Sequence, residues 1–148
     1  MVKGVRAEKI VGNAGENLTV FKLSMLGYAA STVKQDGVDI AVVGGKDLMV
    51  AQRVEVKTVL ESDKDGKFPF LICKGKDRRC YTRQDCDIVA LTALSLEKVL
   101  FFPVESFTTK MSITLTRNDF HSPSEKNQWA EVLAYSQKMM GELLYKNK

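Results

Sequence analysis

The sequence lacks any long apolar run and contains only three prolines, three cysteines and one histidine among its 148 residues. A transmembrane helix needs about 18 or more consecutive apolar residues, so we expect no membrane-spanning segment. With 27% charged and 45% hydrophobic residues, the composition is that of a globular domain and excludes a disordered, collagenous or low-complexity chain. No apolar stretch follows the basic start, so we expect no signal peptide and a cytoplasmic or otherwise intracellular protein.

The scarcity of cysteine and histidine narrows the chemistry that the chain can perform. Cys73, Cys80 and Cys86 are odd in number, which argues against a disulfide framework and for a reducing compartment. Their spacings do not match those of zinc sites. His121 is the only residue that His-dependent nucleophilic catalysis could use. Zinc binding and a catalytic triad are therefore both disfavoured.

Positive charge is concentrated in one stretch of the chain. The net charge is +4, but residues 64–83 hold seven basic and two acidic residues, so they carry +5 and the remainder carries −1. Such a local excess is the electrostatic footprint of a protein that binds phosphate backbones. The alternative is a solvated hairpin tip whose lysines only keep it soluble.

The pattern of apolar residues predicts one helix followed by a series of short strands. The helix is predicted over 13–26, with Asn13 and Glu16 as a capping box and Gly27 just beyond its end. Alternating or short apolar runs predict strands over 28–32, 38–43, 49–60, 68–73, 88–94, 99–104 and 111–115.

A second helix is predicted over about 123–146. Ser122 offers an N-cap, Pro123 suits the first helical position, and Glu125 falls three residues after the cap. Apolar or small residues recur there at helical spacing: Trp129, Val132, Leu133, Ser136, Met139, Met140, Leu143 and Leu144. This stripe either packs on the sheet or forms a dimer seam. Without an internal linker, we predict a single domain over residues 1–148.

Four charged residues on the first helix and on the second and third strands carry the chemistry of the sequence: Glu16, Asp39, Glu55 and Lys57. Two antiparallel strands joined by a short turn can bring Asp39 beside Glu55. Two carboxylates at one point are stable when a hard divalent cation lies between them. Lys57 faces the same side of its strand as Glu55, so it can orient a metal-bound water or offset charge on phosphorus.

Each of these residues also has a purely structural interpretation. Glu16 can be only the glutamate of the capping box, and Asp39 can be an acid that satisfies a nearby turn. The acid and lysine of the third strand can be a solvent-facing pair. A second acid-x-lysine sequence, Asp65-Gly66-Lys67, lies in a polar loop without a strand's alternation, so we set it aside.

Three short motifs resemble the active site of the PD-(D/E)xK nuclease superfamily: Gly15-Glu16, Gly37-Val38-Asp39 and Glu55-Val56-Lys57. Within the superfamily, the chain looks most like the small branch of archaeal Holliday-junction resolvases and group I intron homing endonucleases. The stretches 81–91 and 99–104 support the homing type. The resemblance covers about residues 10–105, has Val38 in place of the usual proline, and leaves 106–148 without a matching motif.

The resemblance implies an α/β (α+β) fold with a mixed central β-sheet flanked by helices, in a restriction-endonuclease-like core that starts α-β-β-β. It implies that Asp39, Glu55 and the carbonyl of Val56 bind Mg²⁺, for which Mn²⁺ can substitute. It also implies that Lys57 handles the attacking water. Glu16 would support the metal site directly or through water.

The implied activity is Mg²⁺-dependent hydrolysis of DNA by a homing or restriction-like endonuclease, in a phage or intron system among other hosts. The alternatives are a Holliday-junction resolvase and a non-catalytic nucleic-acid-binding module, and RNA stays open as a substrate. Cutting two strands needs two sites, so a homodimer or tetramer is expected. Tyr81 either stacks on a base or belongs to the core. The residues expected to bind nucleic acid are Lys74, Lys76, Arg78, Arg79, Arg83 and Gln84.

Overall fold

The computed structural model describes residues 5–35 and 38–146, so Gly37 of the second motif lies outside the described residues. In chain order the elements are α1 (Val5–Met25), β1 (Ala29–Gln35), β2 (Val38–Gly44), β3 (Gln52–Val59), β4 (Lys67–Leu71), β5 (Ile88–Ala93), β6 (Lys98–Pro103), β7 (Ser112–Thr116), α2 (Arg117–His121) and α3 (Glu125–Lys146). Short 3₁₀ turns follow β5 and β6.

A five-stranded sheet in the order β1-β2-β3-β5-β6 forms the centre of the fold. Strands β3 and β5 run parallel, and the other neighbouring pairs run antiparallel. The predicted mixed sheet and the α-β-β-β start are therefore confirmed. Strands β4 and β7 form a separate antiparallel pair, which the strand pattern did not predict.

Apolar side chains cover both faces of the central sheet, so every residue of β5 is buried. Ile88 and Ala90 point to one core, which α1 and α3 complete. Val89 and Leu91 point to a second core, formed with β4, β7 and α2. A strand that is buried on both sides reads as a continuous apolar run, which is why 88–94 was recognisable in the sequence.

Helix α1 begins at Val5 rather than at residue 13, so the predicted capping box of Asn13 and Glu16 is wrong. Both residues lie inside the helix, and Glu16 has no cap to make. The predicted end is correct. Gly27 has a φ of 95°, and its N–H and that of Tyr28 close the helix on the carbonyls of Ser24 and Leu23, each at 3.0 Å.

Helix α3 begins two residues later than predicted, because Ser124 caps it in place of Ser122. The hydroxyl of Ser124 accepts a 3.4 Å hydrogen bond from the N–H of Asn127. The first half of the predicted stripe packs on the sheet, with four buried residues: Trp129, Val132, Leu133 and Ser136. Leu143 and Leu144 remain exposed.

Across the described part of the chain, no helix combines the length and the hydropathy needed to span a membrane.

Candidate active site

Asp39 and Glu55 lie across from each other where β2 begins. The antiparallel register pairs Ile40 with Val54, and one more step along both strands sets Asp39 against Glu55. The Oδ2 atom of Asp39 accepts a 2.8 Å hydrogen bond from the backbone N–H of Val56. This bond ties the Asp39 carboxylate to β3, so the sequence-predicted pair of acids is brought together by the sheet itself.

Helix α1 brings a third carboxylate close to Asp39, because Gly15 lets the helix approach β3 unusually closely. A Cβ atom at Gly15 would lie 1.8 Å from Oγ1 of Thr58, which is too close for any side chain at this position. Glu16 follows Gly15 and borders Asp39. Burial and the neighbouring charge of Asp39 raise the pKa of the Glu16 carboxyl above its usual value.

Glu55 is held by two groups on the same oxygen. The hydroxyl of Tyr81 donates to Oε1 at 3.2 Å, and Nζ of Lys57 lies 3.7 Å from it. Burial, together with the charge of Asp39, raises the pKa of Glu55 to about 7. Lys57 and Tyr81 oppose this rise but do not cancel it, so at neutral pH the site holds negative charge that lacks full compensation.

Lys57 is fixed over the ring of Tyr81, with Nζ 5.3 Å from the ring centroid. Its two neighbours are therefore a carboxylate and an aromatic face, both of which favour a cation. Tyr81 itself is only 2% exposed, so its prediction as a core residue is confirmed and base stacking is not open to it. Its contact with Glu55 was not predicted, because nothing in the sequence reveals the path of residues 72–87.

The donor set suits a divalent cation of the Mg²⁺ kind. Asp39 and Glu55 offer carboxylate oxygens and Val56 offers a carbonyl, and Mg²⁺ is commonly held by one or two carboxylates with water completing its shell. A cation there would oppose both causes of the raised pKa of Glu55, its burial and the neighbouring charge of Asp39. Within residues 5–35 and 38–146, no three ligating side chains converge on one point.

The segment between β4 and β5, residues 72–87, is called the basic loop here, and Asp85 is its internal anchor. Arg79 donates twice to the Asp85 carboxylate, at 2.7 and 2.9 Å, and Nζ of Lys74 lies 3.3 Å away. The N–H of Thr82 adds a third hydrogen bond at 2.9 Å. These partners, Arg79 first, hold the pKa of Asp85 well below its usual range.

Asp87 and Arg83 fasten the end of the basic loop to the rest of the molecule. Asp87 accepts from the backbone N–H of Arg53 at 2.8 Å and from its guanidinium at 3.1 Å. Arg83 pairs with Glu105 and donates to the hydroxyl of Ser136 in α3 at 3.0 Å. The loop that carries Tyr81 is therefore fixed to β3, to the turn after β6 and to α3.

The six residues predicted to bind nucleic acid divide into three groups. Lys76 and Arg78 are exposed at the turn of the basic loop. Lys74 and Arg79 flank them and are engaged by Asp85. The Arg83 side chain is only 10% exposed, so its position gives no support to a DNA contact, whereas Gln84 is exposed and its carbonyl accepts from Arg53.

Two solved structures share the fold of this chain, in agreement with the fold that the resemblance implied. The first is a bacterial homing endonuclease, I-Ssp6803I, with a TM-score of 0.66 and 18% identity over 90% of this chain and 96% of that one. The second is Hjc, a Holliday junction resolvase of Archaeoglobus fulgidus, with a TM-score of 0.50 and 20% identity over 83% of this chain and 95% of that one. No family model and no curated protein matches the chain.

Proposed function

We propose that the chain is a Mg²⁺-dependent DNA endonuclease of the homing or restriction type. One observation carries the proposal: Asp39 and Glu55 face each other on adjacent strands, and Nζ of Lys57 lies 3.7 Å from Oε1 of Glu55. The fold supports it, since the two solved structures described above are a homing endonuclease and a Holliday junction resolvase. Fold alone does not fix an activity, so the site residues bear the weight of the proposal.

Asp39, Glu55 and the carbonyl of Val56 would hold the ion, and Glu16 would orient water around it. Mg²⁺, when bound, supplies a Lewis acid that activates water and neutralises phosphate charge. Mn²⁺ has similar oxygen preferences and would substitute for it. The raised pKa of Glu55 implies that binding the ion displaces a proton near neutral pH.

Lys57 would act on the attacking water and on the phosphate. Its ammonium group is held by Glu55 at 3.7 Å and by the Tyr81 ring, so it is oriented before the substrate arrives. There it hydrogen-bonds the water and counters the negative charge that develops on the phosphate oxygens. Water attacks phosphorus, the bond to the 3′ oxygen breaks, and the products carry a 5′ phosphate and a 3′ hydroxyl.

The basic loop is the proposed DNA contact, through Lys76 and Arg78 at its turn. Asp85 fixes Lys74 and Arg79 on either side, which keeps the turn rigid and limits the entropy lost on binding. Gln84 is exposed on the same loop and is proposed to contact the backbone near the site.

A nuclease assay with two matched pairs of variants tests the proposal. Supercoiled plasmid, linear duplex and a four-way junction are incubated with Mg²⁺ or Mn²⁺. Lys57→Ala is expected to abolish cleavage and keep DNA binding, whereas Lys67→Ala, in the second acid-x-lysine sequence, is expected to cleave normally. Asp39→Asn is expected to lose Mg²⁺ affinity in calorimetry, and Asp65→Asn to retain it. Normal cleavage by Lys57→Ala would exclude the proposed site.

The preferred substrate separates the remaining candidates. The likeness to Hjc favours a junction resolvase as the second candidate, which cleaves four-way junctions and spares linear duplex. Metal-dependent binding without cleavage of any substrate would point to a non-catalytic module. Cutting both strands requires two sites, so we propose a homodimer or tetramer, which sedimentation of the free protein would reveal.

A further inference from the structure

A cleft of about 310 Å³ opens beside Lys57, between the first half of α1 and the end of β3. Strand β2 accompanies β3 only as far as the point where Asp39 lies against Glu55, whereas β3 continues beside β5 to Val59. In the part of the chain that the structure describes, this last stretch of β3 has a strand neighbour on one side only. The cleft therefore lies where the two strands separate, directly beside the proposed site.

The chemistry of the cleft suits an uncharged group better than a second phosphate. Its walls include the apolar side chains of Val11 and Val56. Glu8 contributes a negative charge, and Lys57 is already paired with Glu55, so the described lining residues offer no free cation to a second phosphate. A phosphate bound at Lys57 would thus be continued into the cleft by the sugar of the adjoining nucleoside, whose apolar face matches such walls while its base stays in the duplex.

Gly12 borders this cleft and has no packing reason to be a glycine. It lies inside a 21-residue helix, where glycine is less favourable than alanine. A Cβ atom at Gly12 would meet no heavy atom within 4 Å, in contrast to Gly15, where it would strike Thr58. A side chain at Gly12 would therefore enter open space, and the space that Gly12 borders is the cleft.

We infer that the cleft is the subsite for the sugar of the nucleoside next to the scissile phosphate, and that Gly12 keeps it open. The inference rests on the proposed nuclease function, since Lys57 defines where the phosphate lies. It adds a substrate-positioning residue on α1, one turn before Glu16, to a site otherwise built from β2, β3 and the basic loop.

Cleavage by Gly12 variants tests the inference, with Gly141 as the matched control. Gly141 lies within α3, is exposed, and would also meet nothing within 4 Å. Gly12→Leu fills the cleft and is expected to lower kcat/KM roughly 100-fold, because displacing a substrate slightly is enough for such a loss. Gly12→Ala is expected to melt at a higher temperature than wild type yet cleave more slowly. Gly141→Leu and Gly141→Ala are expected to cleave normally, and wild-type cleavage by Gly12→Leu would overturn the inference.

A binding experiment separates failure of this inference from failure of the nuclease function. Thymidine 3′,5′-bisphosphate, which has no phosphodiester bond to cleave, is titrated into the ¹⁵N-labelled protein in the presence of Mg²⁺. A shift of the Thr58 amide signal that disappears in Gly12→Leu supports the subsite, even if wild type cleaves nothing. If wild type cleaves DNA but the probe does not shift this signal, the subsite is overturned while the nuclease function stands.

Discussion

The carboxylate of Glu55 contacts two polar side-chain groups, a hydroxyl that donates to it and an ammonium group. Both act on Oε1, Tyr81 at 3.2 Å and Lys57 at 3.7 Å. A hydrogen bond and a cation each favour the ionised carboxylate, whereas burial and Asp39 favour the protonated one. Burial and the charge of Asp39 together have the larger effect, so the pKa of Glu55 is raised. The residue is therefore poised to exchange its proton for a divalent cation near neutral pH.

Removing the hydroxyl of Tyr81 is the smallest change that disturbs this balance. Tyr81→Phe keeps the ring under Lys57 and deletes the donor to Glu55, so the pKa of Glu55 should rise further. We expect Mg²⁺ affinity at neutral pH to fall by up to about tenfold, one pKa unit's worth of proton competition, and stability to fall by about 1 kcal/mol. Calorimetry and urea unfolding measure both. Tyr135→Phe, on the exposed face of α3, should change neither, and unchanged Mg²⁺ affinity in Tyr81→Phe would remove Tyr81 from the site.

Glu55 also makes a prediction about stability and pH in EDTA. Its pKa is about 7 in the folded protein against an ordinary 4.5, so the folded state binds this proton more tightly than the unfolded chain. The stabilisation is full below the unfolded pKa and is lost as pH rises through 7. This difference in pKa corresponds to at most about 3 kcal/mol of the free energy of unfolding, which is lost between about pH 5 and pH 8.

Urea unfolding in EDTA at several pH values checks this prediction. Glu55→Gln cannot titrate, so its stability should fall much less over the same range. The pKa of Glu16 is also raised, so the stability of the variant will still fall with pH, but with a smaller slope. Added Mg²⁺ should restore wild-type stability at the alkaline end. An identical pH profile for wild type and Glu55→Gln would show that Glu55 is not the titrating group.

At the scale of elements, the contact between α1 and β3 sets where Glu16 lies. Gly15 and Thr58 form that contact, and the helix has no room for a methyl group there. We expect Gly15→Ala to push α1 outward, to cost about 1–3 kcal/mol of stability, and to slow cleavage because Glu16 moves with the helix. Gly141→Ala, on exposed α3, should be neutral or stabilising.

A double-mutant cycle shows whether the two residues act through their contact. Thr58→Ala removes the Oγ1 and Cγ2 atoms that the new methyl group would strike. The double variant should therefore be more stable than the sum of the single effects indicates, by about 0.5–3 kcal/mol. Additive effects, measured by urea unfolding, would mean that Gly15 does not govern the spacing between α1 and β3.

The elements that sequence patterns predicted are those whose burial pattern lies within one short stretch of the sequence. Alternation located β3, and short apolar runs located β2, β5 and β6, to within a few residues, because both patterns are confined to one strand. The start of α1 was misplaced because Gly12 and Asn13 weaken helix propensity, and packing on the sheet overrides that weakness. The pairing of β4 with β7 joins segments more than 40 residues apart, which no local period records.

The candidate site divides in the same way. Asp39, Glu55 and Lys57 were predictable because two neighbouring strands and a fixed side-chain alternation bring them together. Tyr81 was not, because it reaches Glu55 through a loop whose path depends on Asp85 and Asp87. Charge counting also failed to separate the exposed cations of that loop from Arg83, whose partners lie elsewhere in the chain.

At the scale of the whole molecule, the basic stretch is less positive than its composition indicates. Asp85 engages Lys74 and Arg79, while Glu105 and Asp87 engage Arg83. Among the described residues, the exposed cations of the stretch without such a partner are Lys64, Lys67, Lys76 and Arg78, and the last two lie at the turn of the basic loop. The electrostatic attraction for DNA should therefore depend on a few residues rather than on the full charge of the stretch.

The salt dependence of DNA affinity tests this distribution of charge. Each phosphate contact contributes about 0.9 to the slope of log K against log salt, so neutralising Lys76 and Arg78 together should flatten it by up to about 2. Fluorescence anisotropy with a labelled duplex at increasing KCl measures the slope. Neutralising Lys126 and Lys138, both exposed on α3, should leave it unchanged. Arg83→Ala should instead lower stability at an unaltered slope, because its partners are Glu105 and Ser136 rather than phosphates. A slope that the Lys76 and Arg78 changes do not move would place the DNA on another face, and the Lys126 and Lys138 variant would show whether that face is α3.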